Sequence, residues 1–217
     1  DDNSTSDAQN FYRYFVKGNL HSTNAKTAEM CKLVENSSRD VSIAFANELS
    51  IICDKAGINV WDLINLANKH PRVNILMPGS GVGGHCIAVD PWFIVSDFKK
   101  EAVIIKNARE INNYKTDWVI EKIKSTALQF ELDKNRKPLI ALMGLAFKPD
   151  IDDLRESPAL LVADTLLNSG KFDLLLVEPN LEESKNYTLT DYKKIDKNVD
   201  IFVYLVAHKQ FRGLITE

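Results

Sequence analysis

Pro138-Leu-Ile-Ala-Leu-Met-Gly144 is the stretch that indicates the fold class of this chain most clearly. Its five central residues form an uninterrupted apolar run between a proline and a glycine, which is typical of a strand buried on both faces. Two further short apolar runs follow, at residues 172–177 and 201–206. Between the first two runs, residues 157–169 have helical apolar spacing and end at Gly170, a common helix terminator. Strand, helix and strand in this order predict a parallel βαβ sheet.

The sequence before this region has the pattern of a helical domain. Residues 24–55 and 101–132 carry apolar side chains at mainly helical spacing, which predicts two long helices. Shorter helices are predicted over residues 60–69 and 90–98. A charged connector at residues 133–137 marks the change in composition. The predicted fold class is therefore α/β, with a mostly helical central domain followed by a Rossmann-like parallel α/β domain.

The predicted domain boundary lies near the connector. We assign residues 24–132 to the helical central domain and residues 133–217 to the Rossmann-like domain. Residues 1–10 are polar, so we expect them to be loose. Residues 11–16, Phe-Tyr-Arg-Tyr-Phe-Val, are typical of the apolar end of an element that begins outside this sequence.

The composition argues against several classes of protein. The 217 residues include 27 basic and 30 acidic side chains, a net charge of −3, which provides no basic footprint for nucleic acid. There is no run of about 18 apolar residues, so no membrane span is expected. Three cysteines, Cys31, Cys53 and Cys86, cannot all pair within the chain, which favours a reducing compartment. We therefore expect a soluble, cytoplasmic protein.

A glycine-rich loop stands out between the predicted helices. It contains glycines 79, 81, 83 and 84, and residues 79–84 formally satisfy the dinucleotide fingerprint G-x-G-x-x-G. That fingerprint requires a strand directly before it and a helix opening from its last glycine. Here Pro78 interrupts the approach, and the next helix signal waits until Pro91. The pattern therefore favours a loop that encloses a substrate.

A candidate nucleophile follows the glycines. His85 and Cys86 come directly after them, and Asp90-Pro91 has the pattern of a helix start, with aspartate as N-cap and proline at the first helical position. A neighbouring imidazole and a nearby helix N-terminus both raise the thiolate fraction of a cysteine. We interpret Cys86 as a nucleophile, against the alternative of a buried structural thiol. Asp90 could act only as the N-cap or take part in catalysis.

Several cations complete the set of candidates. Lys32 lies one helical turn before Asn36 and points the same way; it is either solvated or stabilises charge on a reacting oxygen. Arg72, at a helix stop, would suit a phosphate. Lys148 and Arg155 follow the first strand of the second domain, at the sheet edge where open α/β sheets bind ligands. For these two the alternative is a charged surface loop.

Three motifs follow one another along the chain: Ala28-Glu-Met-x-Lys32-x-x-x-Asn36, Gly83-Gly-His-Cys86-Ile-x-Val-Asp90-Pro91, and Gly144-Leu-Ala-Phe-Lys148 followed by Asp152-Asp-Leu-Arg155-Glu-Ser-Pro158. Together and in this order they resemble the UDP-glucose/GDP-mannose dehydrogenase family. The resemblance covers nearly the whole chain.

The resemblance implies an NAD-dependent oxidation of the primary alcohol of a nucleotide sugar to a carboxylate, in two hydride transfers. By the same resemblance Cys86 captures the aldehyde as a thiohemiacetal and then holds a thioester. Lys32 acts as acid and base and stabilises oxyanions, with Asn36 in support. Asp90 helps to activate the lysine or the hydrolytic water.

The resemblance also implies binding roles. Arg155 would reach the NAD pyrophosphate, and six residues would contact the UDP-sugar: Arg39, His70, Arg72, Gly83, Phe147 and Lys148. It implies no metal ion. The wide apolar stripe of the helix at residues 24–55 suggests the interface of a homodimer.

The chain departs from the family pattern at its ends. Members begin with a complete NAD-binding Rossmann domain, of which residues 1–23 resemble only the tail, and the family's last residues are expected beyond Glu217. We therefore expect these 217 residues to keep part of the UDP-sugar site but not to turn over. The rival interpretation is a non-catalytic nucleotide-sugar-binding or assembly module.

Overall fold

A computed structural model describes residues 2–184, 186–195 and 198–214. The α-helices are α1 (Asp2–Tyr12), α2 (Ala25–Ala56), α3 (Val60–Ala67), α4 (Asp90–Asp97), α5 (Val103–Lys134) and α6 (Pro158–Ser169). The strands are β1 (Leu139–Met143), β2 (Asp173–Val177) and β3 (Ile201–Tyr204), and short 3-10 turns occupy Tyr192–Lys194 and Lys209–Phe211.

The three strands form one parallel sheet in the order β2-β1-β3. Leu139 of β1 pairs with Asp173 of β2, and Ile140 pairs with Ile201 of β3. Helix α6 connects β1 to β2, which is the arrangement that a parallel pair requires. The predicted α/β fold class with a parallel βαβ unit is confirmed.

Strand β1 is buried on both faces because each face packs against a separate apolar cluster. Ile140 and Leu142 point into the cluster formed with α5 and α6. Ala141 and Met143 point the other way, towards Phe211. These four of the five β1 residues are fully buried, so the uninterrupted apolar run reflects a central strand covered on both sides.

Helices α2 and α5 are 32 residues long and pack against each other. Helix α2 begins where the Asn24 side chain accepts a hydrogen bond from the Thr27 N–H, and it ends at Gly57 with φ of 68°. Both signals are visible in the sequence, which explains why its predicted bounds agree with the structure.

Helix α5 connects the helical region to the sheet. Its second half contributes Ile120, Ile123 and Ala127 to the cluster that covers Ile140 and Leu142. Its first half packs on α2 through buried polar contacts. One continuous helix therefore packs against both α2 and the sheet, and its Thr116 hydroxyl holds the glycine-rich loop by donating to the Ser80 carbonyl at 2.9 Å.

The expectation that residues 1–10 are loose is wrong, because residues from Asp2 onward form α1. The Gln9 side chain donates a hydrogen bond to Ser22 Oγ at 2.6 Å, which ties the helix to the following segment. Phe11, in the last turn of α1, makes an edge-to-face ring contact with Phe15 just past the helix end. Polar composition alone does not exclude a helix that has such local contacts. Residues 215–217, at the end of the predicted second domain, lie outside the described residues.

None of the described helices combines the length and the apolar character needed to cross a membrane.

Candidate active site

Helices α2 and α4 meet at a cluster of three predicted site residues. The Asn36 side-chain amide donates a hydrogen bond to Asp90 Oδ2 at 2.5 Å. Lys32 Nζ, one turn earlier on α2, lies 3.6 Å from the same oxygen. The Asp90 carboxylate is largely buried, with 18% of its side chain exposed, whereas Lys32 is 62% exposed. The Lys32 ammonium is thus held beside the Asp90 carboxylate at the protein surface, and its other N–H groups are free to donate to a bound ligand.

The prediction that Asp90 caps α4 is wrong. Helix α4 includes Asp90, and the residue before it, Val89, provides no side-chain cap. The Asp90 side chain bonds to α2 instead, while its N–H donates to the Cys86 carbonyl at 2.8 Å. The carboxylate is therefore directed to Asn36 and Lys32, so capping does not account for its presence.

Cys86 occupies an exposed turn just before α4. The N–H groups of Val89 and Asp90 both donate to the Cys86 carbonyl, which fixes the backbone of the turn. The Cys86 Sγ lies 3.2 Å from His85 Nδ1, as predicted from their adjacency. Cys53, by contrast, is buried within α2. The exposure of Cys86 argues against a buried structural thiol and leaves it accessible for chemistry.

The glycine-rich loop is held by the loop between β1 and α6, residues 144–157, which we call the clamping loop. The Gly84 N–H donates to the Arg155 carbonyl at 3.2 Å, and a Cβ atom at Gly84 would lie 3.0 Å from the Phe147 ring. A Cβ atom at Gly83 would overlap the Glu156 carbonyl oxygen. These glycines are therefore required for the close approach of two loops, a role that the sequence did not reveal. The clamp brings together Phe147 and Gly83, two residues whose predicted contact with the substrate stays a prediction.

Two predicted cations lie on the same clamping loop. Lys148 Nζ lies 5.6 Å from the centroid of the Phe147 ring. Arg155 forms an exposed ion pair with Asp153, with a closest distance of 2.6 Å. Hydrogen bonds from Arg155 lower the pKa of Asp153 to about 2, and the nearby charge of His85 adds a small effect in the same direction. Arg155 thus lies beside the loop that carries Cys86, and Lys148 lies near the Phe147 ring.

Three other predicted residues lie outside this cluster. Arg39 is exposed on α2, and His70 and Arg72 are exposed between α3 and the glycine-rich loop. The Arg72 N–H donates to His70 Nδ1 at 3.3 Å. Within the described parts of the chain, no hydrogen bond or ion pair links these three side chains to the group around Cys86. Their role in substrate binding stays a prediction.

A buried polar network behind the site was not predicted. Asp40 Oδ1 accepts from Arg109 Nη1 at 2.7 Å and from Asn112 Nδ2 at 2.8 Å. Asn112 in turn accepts from Asn47, whose side-chain oxygen accepts the Gly79 N–H at 2.9 Å. Burial raises the pKa of Asp40, and Arg109 offsets this only in part. The network connects α2 and α5 to the start of the glycine-rich loop. The sequence signal for this network was the seven-residue spacing of Asp40 and Asn47, which places both side chains on one face of the helix, two turns apart.

A buried lysine lies further along the same interface. Lys115 Nζ donates to Ser50 Oγ at 2.8 Å and lies 3.8 Å from the centroid of the Trp118 ring. Burial lowers its pKa to about 8, against the opposing effect of Asp54. Nothing in the sequence distinguished Lys115 from an exposed helical lysine.

A second unpredicted pair lies at the carboxyl edge of the sheet. Glu178 follows β2 and His208 follows β3, and both are buried. Burial on its own would raise the pKa of Glu178, but hydrogen bonds from His208 and from the Leu145 and Asn180 backbone outweigh it and lower the pKa. The described residues contain no group of three or more histidine, cysteine, aspartate or glutamate side chains arranged to hold a metal ion.

Comparison with known proteins assigns the chain to a family. Residues 26–114 match the central domain of the UDP-glucose/GDP-mannose dehydrogenase family. Residues 141–217 match the UDP binding domain of the same family. The chain belongs to the UDP-glucose/GDP-mannose dehydrogenase family, so the family expected from its motifs is confirmed.

Individual relatives act on N-acetylated sugars according to their names. The UDP-N-acetyl-D-mannosamine dehydrogenase of Campylobacter jejuni is 54% identical over 207 residues, covering 92% of this chain and 50% of the relative. The NDP-N-acetyl-D-galactosaminuronic acid dehydrogenase of Ralstonia nicotianae is 50% identical over 214 residues, covering 97% and 49%. The solved structure of UDP-D-ManNAc dehydrogenase from Pyrococcus horikoshii has a TM-score of 0.84 at 38% identity, covering 97% of this chain and 49% of that one. The chain spans about half the length of the curated relatives it matches.

Proposed function

We propose that the chain forms the covalent centre and the UDP-binding part of an NAD-dependent UDP-N-acetylmannosamine 6-dehydrogenase, which oxidises the sugar C6 alcohol to a carboxylate. The observation that carries this proposal is the cluster at the start of α4. There an exposed cysteine lies one turn before Asp90, which contacts Lys32 and Asn36. The names of the relatives support the N-acetylmannosamine substrate.

Cys86 supplies the covalent step. Its thiolate adds to the carbonyl carbon of the sugar aldehyde, and the carbonyl oxygen takes up a proton to give a thiohemiacetal. Oxidation of that carbon leaves a thioester, which water hydrolyses to the carboxylate while the thiol is regenerated. The exposure of Cys86 and the adjacent His85 imidazole, 3.2 Å away, support this role because the sulfur is accessible to a substrate and lies beside a group that can exchange a proton with it.

Lys32 acts as a general acid and base and stabilises negative charge on the substrate. Its ammonium lies beside a developing oxyanion in this proposal, and a preorganised cation stabilises such charge strongly. The Asp90 carboxylate, 3.6 Å away, keeps Lys32 oriented and can accept a proton from the hydrolytic water. Asn36 fixes that carboxylate through its hydrogen bond.

The nucleotide end of the substrate lies at the clamping loop. Phe147 offers a ring face and Lys148 a cation for the diphosphate, next to Gly83. The match of residues 141–217 to a UDP binding domain supports this position. The proposal keeps the predicted sugar-nucleotide contacts of Arg39, His70 and Arg72.

The fit of this chain to NAD rests on one residue. The Arg155 guanidinium is exposed beside the Cys86 loop and suits a pyrophosphate. Residues 79–84 do not form a dinucleotide cradle, because the described residues 68–78 just before them form no strand and the next helix, α4, begins only at Asp90. NAD, when bound, supplies the hydride acceptor for the two oxidations.

Assembly and location complete the proposal. Large apolar side chains on α2 remain exposed, among them Val34, Phe45 and Ile52, at 48%, 54% and 56%. Such a surface supports a homodimer formed through this helix, within a helical catalytic and dimerisation domain over residues 24–132. We place the protein in the cytoplasm, with residues 133–217 as its UDP-sugar-binding domain and residues 1–23 as the tail of an NAD-binding domain.

The test joins this chain to the half of the Campylobacter jejuni relative that it does not cover. With UDP-N-acetylmannosamine and NAD, we expect carboxylate formation and two NADH per sugar. Cys86→Ser abolishes the carboxylate, whereas the control Cys31→Ser retains it. A Cys86→Ser protein that still completes carboxylate formation refutes the covalent mechanism.

The isolated 217 residues provide the second arm. We expect them to bind UDP without producing NADH. NADH formation by the isolated chain overturns the expectation that it is inactive. A joined protein that binds the UDP-sugar but never reduces NAD supports the rival function of a binding or assembly module.

A further inference from the structure

Glu178 anchors the beginning of the clamping loop from within the protein. Its Oε2 accepts the N–H groups of Leu145 at 2.7 Å and Ala146 at 3.0 Å. The same oxygen lies 3.0 Å from His208 Nε2. Glu178 is 3% exposed and His208 is 1% exposed, so water does not compete for these contacts. The carboxylate therefore fixes the backbone just before Phe147.

His208 anchors the far side of the same loop. Its Nδ1 accepts the Asp150 N–H at 2.9 Å and lies 2.9 Å from the Asn180 side-chain amide. A backbone N–H can only donate, so Nδ1 is the unprotonated nitrogen of the ring. The ring proton is then on Nε2 and is donated to Glu178. One neutral histidine thus connects both ends of the loop segment.

The backbone at Asp150 is unfavourable without this support. Asp150 has φ of +62°, in the left-handed region that non-glycine residues rarely adopt. Its N–H is held by His208, and its Oδ1 accepts the Lys209 N–H at 2.9 Å. Strained conformations of this kind persist only where the surroundings determine them, and they concentrate at ligand sites.

We infer that Glu178 and His208 are positioning residues that hold Phe147 and Lys148 in the conformation that binds the diphosphate of the nucleotide. This inference rests on the proposed function, because it takes that loop as the UDP site. Neither residue touches the ligand. A loop that is fixed before binding loses less conformational freedom on binding, so the anchor raises affinity.

The alternative is that the pair only stabilises the domain core. Two substitutions of the histidine separate the possibilities. The side-chain oxygen of His208→Asn lies near the position of Nδ1, so it can accept the Asp150 N–H but does not reach Glu178. The amide of His208→Gln lies near the position of Nε2, so it can donate to Glu178 but leaves the Asp150 N–H without an acceptor.

The experiment measures UDP affinity by calorimetry on the whole 217-residue chain, together with the melting temperature. We expect His208→Gln to weaken UDP binding about tenfold, the effect of losing roughly one hydrogen bond that orders the loop. His208→Asn should weaken it less than about threefold, with a melting temperature lowered at least as much as in His208→Gln. Equal losses of affinity in the two variants, or losses that follow the melting temperatures, overturn the inference.

Amide hydrogen exchange gives a readout that needs no ligand. Exchange of the Asp150 N–H should be faster in His208→Gln than in His208→Asn, and unchanged protection in His208→Gln overturns the inference. Lys148→Ala tests the proposed site separately. If the unmodified chain and Lys148→Ala bind UDP equally well, the nucleotide does not lie at the clamping loop. The inference is then wrong as well, even if hydrogen exchange shows that His208 holds the Asp150 N–H.

Discussion

Replacing Arg109 with methionine should be among the most damaging single changes in the helical region. Arg109 Nη1 lies 2.7 Å from Asp40 Oδ1, and the two side chains are 3% and 1% exposed. Within the part of the chain that the structure describes, Asp40 Oδ2 has no hydrogen-bond partner. Arg109→Met therefore leaves a buried carboxylate with only Asn112 to stabilise its charge. Removing one partner of a buried ion pair costs about 3–5 kcal/mol, and the lack of a second partner places this variant within that range.

The double variant Asp40→Leu/Arg109→Met should be much less damaging. It removes both charges together and leaves no uncompensated carboxylate. Asn112 Nδ2 loses its bond to Asp40 Oδ1 but keeps the Asp40 backbone carbonyl at 3.1 Å. We expect a total cost of about 1–2 kcal/mol for the remaining loss of packing and hydrogen bonding. The two substitutions should therefore couple by at least about 2 kcal/mol.

Urea unfolding at neutral pH, followed by circular dichroism, measures these free energies. The matched control is the ion pair of Lys122 with Asp54. Its N–O distance of 2.8 Å is similar to that of the Arg109–Asp40 pair, but its side chains are 52% and 39% exposed. Lys122→Met should cost less than about 1 kcal/mol. An Arg109→Met cost equal to that of Lys122→Met, or a double variant as unstable as the sum of the singles, refutes the reasoning.

Three further predictions concern other parts of the molecule. Lys115 has a folded-state pKa of about 8 against an ordinary value of 10.5, so the unfolded chain binds more protons between these values and stability from this group rises with pH there. The free energy of unfolding in urea of the unmodified chain, taken relative to that of Lys115→Met, should therefore rise by about 2 kcal/mol between about pH 8 and 9.5. A difference between the two proteins that does not change with pH contradicts the lowered pKa of Lys115. Gly83→Ala should destabilise by about 1–3 kcal/mol through overlap with the clamping loop, whereas Gly18→Ala, with open space around it, should be neutral in the same assay. Leu142→Ala should lower stability by about 2–5 kcal/mol because it opens a cavity beneath the sheet; a calorimetric loss below about 1 kcal/mol contradicts its central position.

Local signals explain why most of the elements could be predicted. Asn24 and Gly57 delimit α2 through interactions within a few residues, and Ser157 and Gly170 do the same for α6. The prediction that Asp90 caps α4 failed because of a contact with a residue that is distant in the sequence. Its partner Asn36 lies 54 positions earlier, and that contact takes the side chain away from the capping position that the Asp-Pro sequence favours.

Long-range partners also explain which site residues were missed. Lys32 and Asn36 were found because a motif marks them. Arg109 and His208 pair with Asp40 and Glu178, 69 and 30 positions away, and no local pattern marks those contacts. A charged side chain within an apolar helical repeat looks the same in sequence whether it is solvated or buried against a partner.

Alkylation of the cysteines tests the central claim most directly, because it asks whether Cys86 lies at the nucleotide-sugar site of this chain. The chain is treated with iodoacetamide, with and without UDP-N-acetylmannosamine, and the modified peptides are quantified by mass spectrometry. Cys31 is exposed on α2 and serves as an internal control. At ten times the dissociation constant, bound ligand should slow modification of Cys86 about tenfold and leave Cys31 unchanged. Equal rates at Cys86 with and without the saturating nucleotide sugar contradict the account.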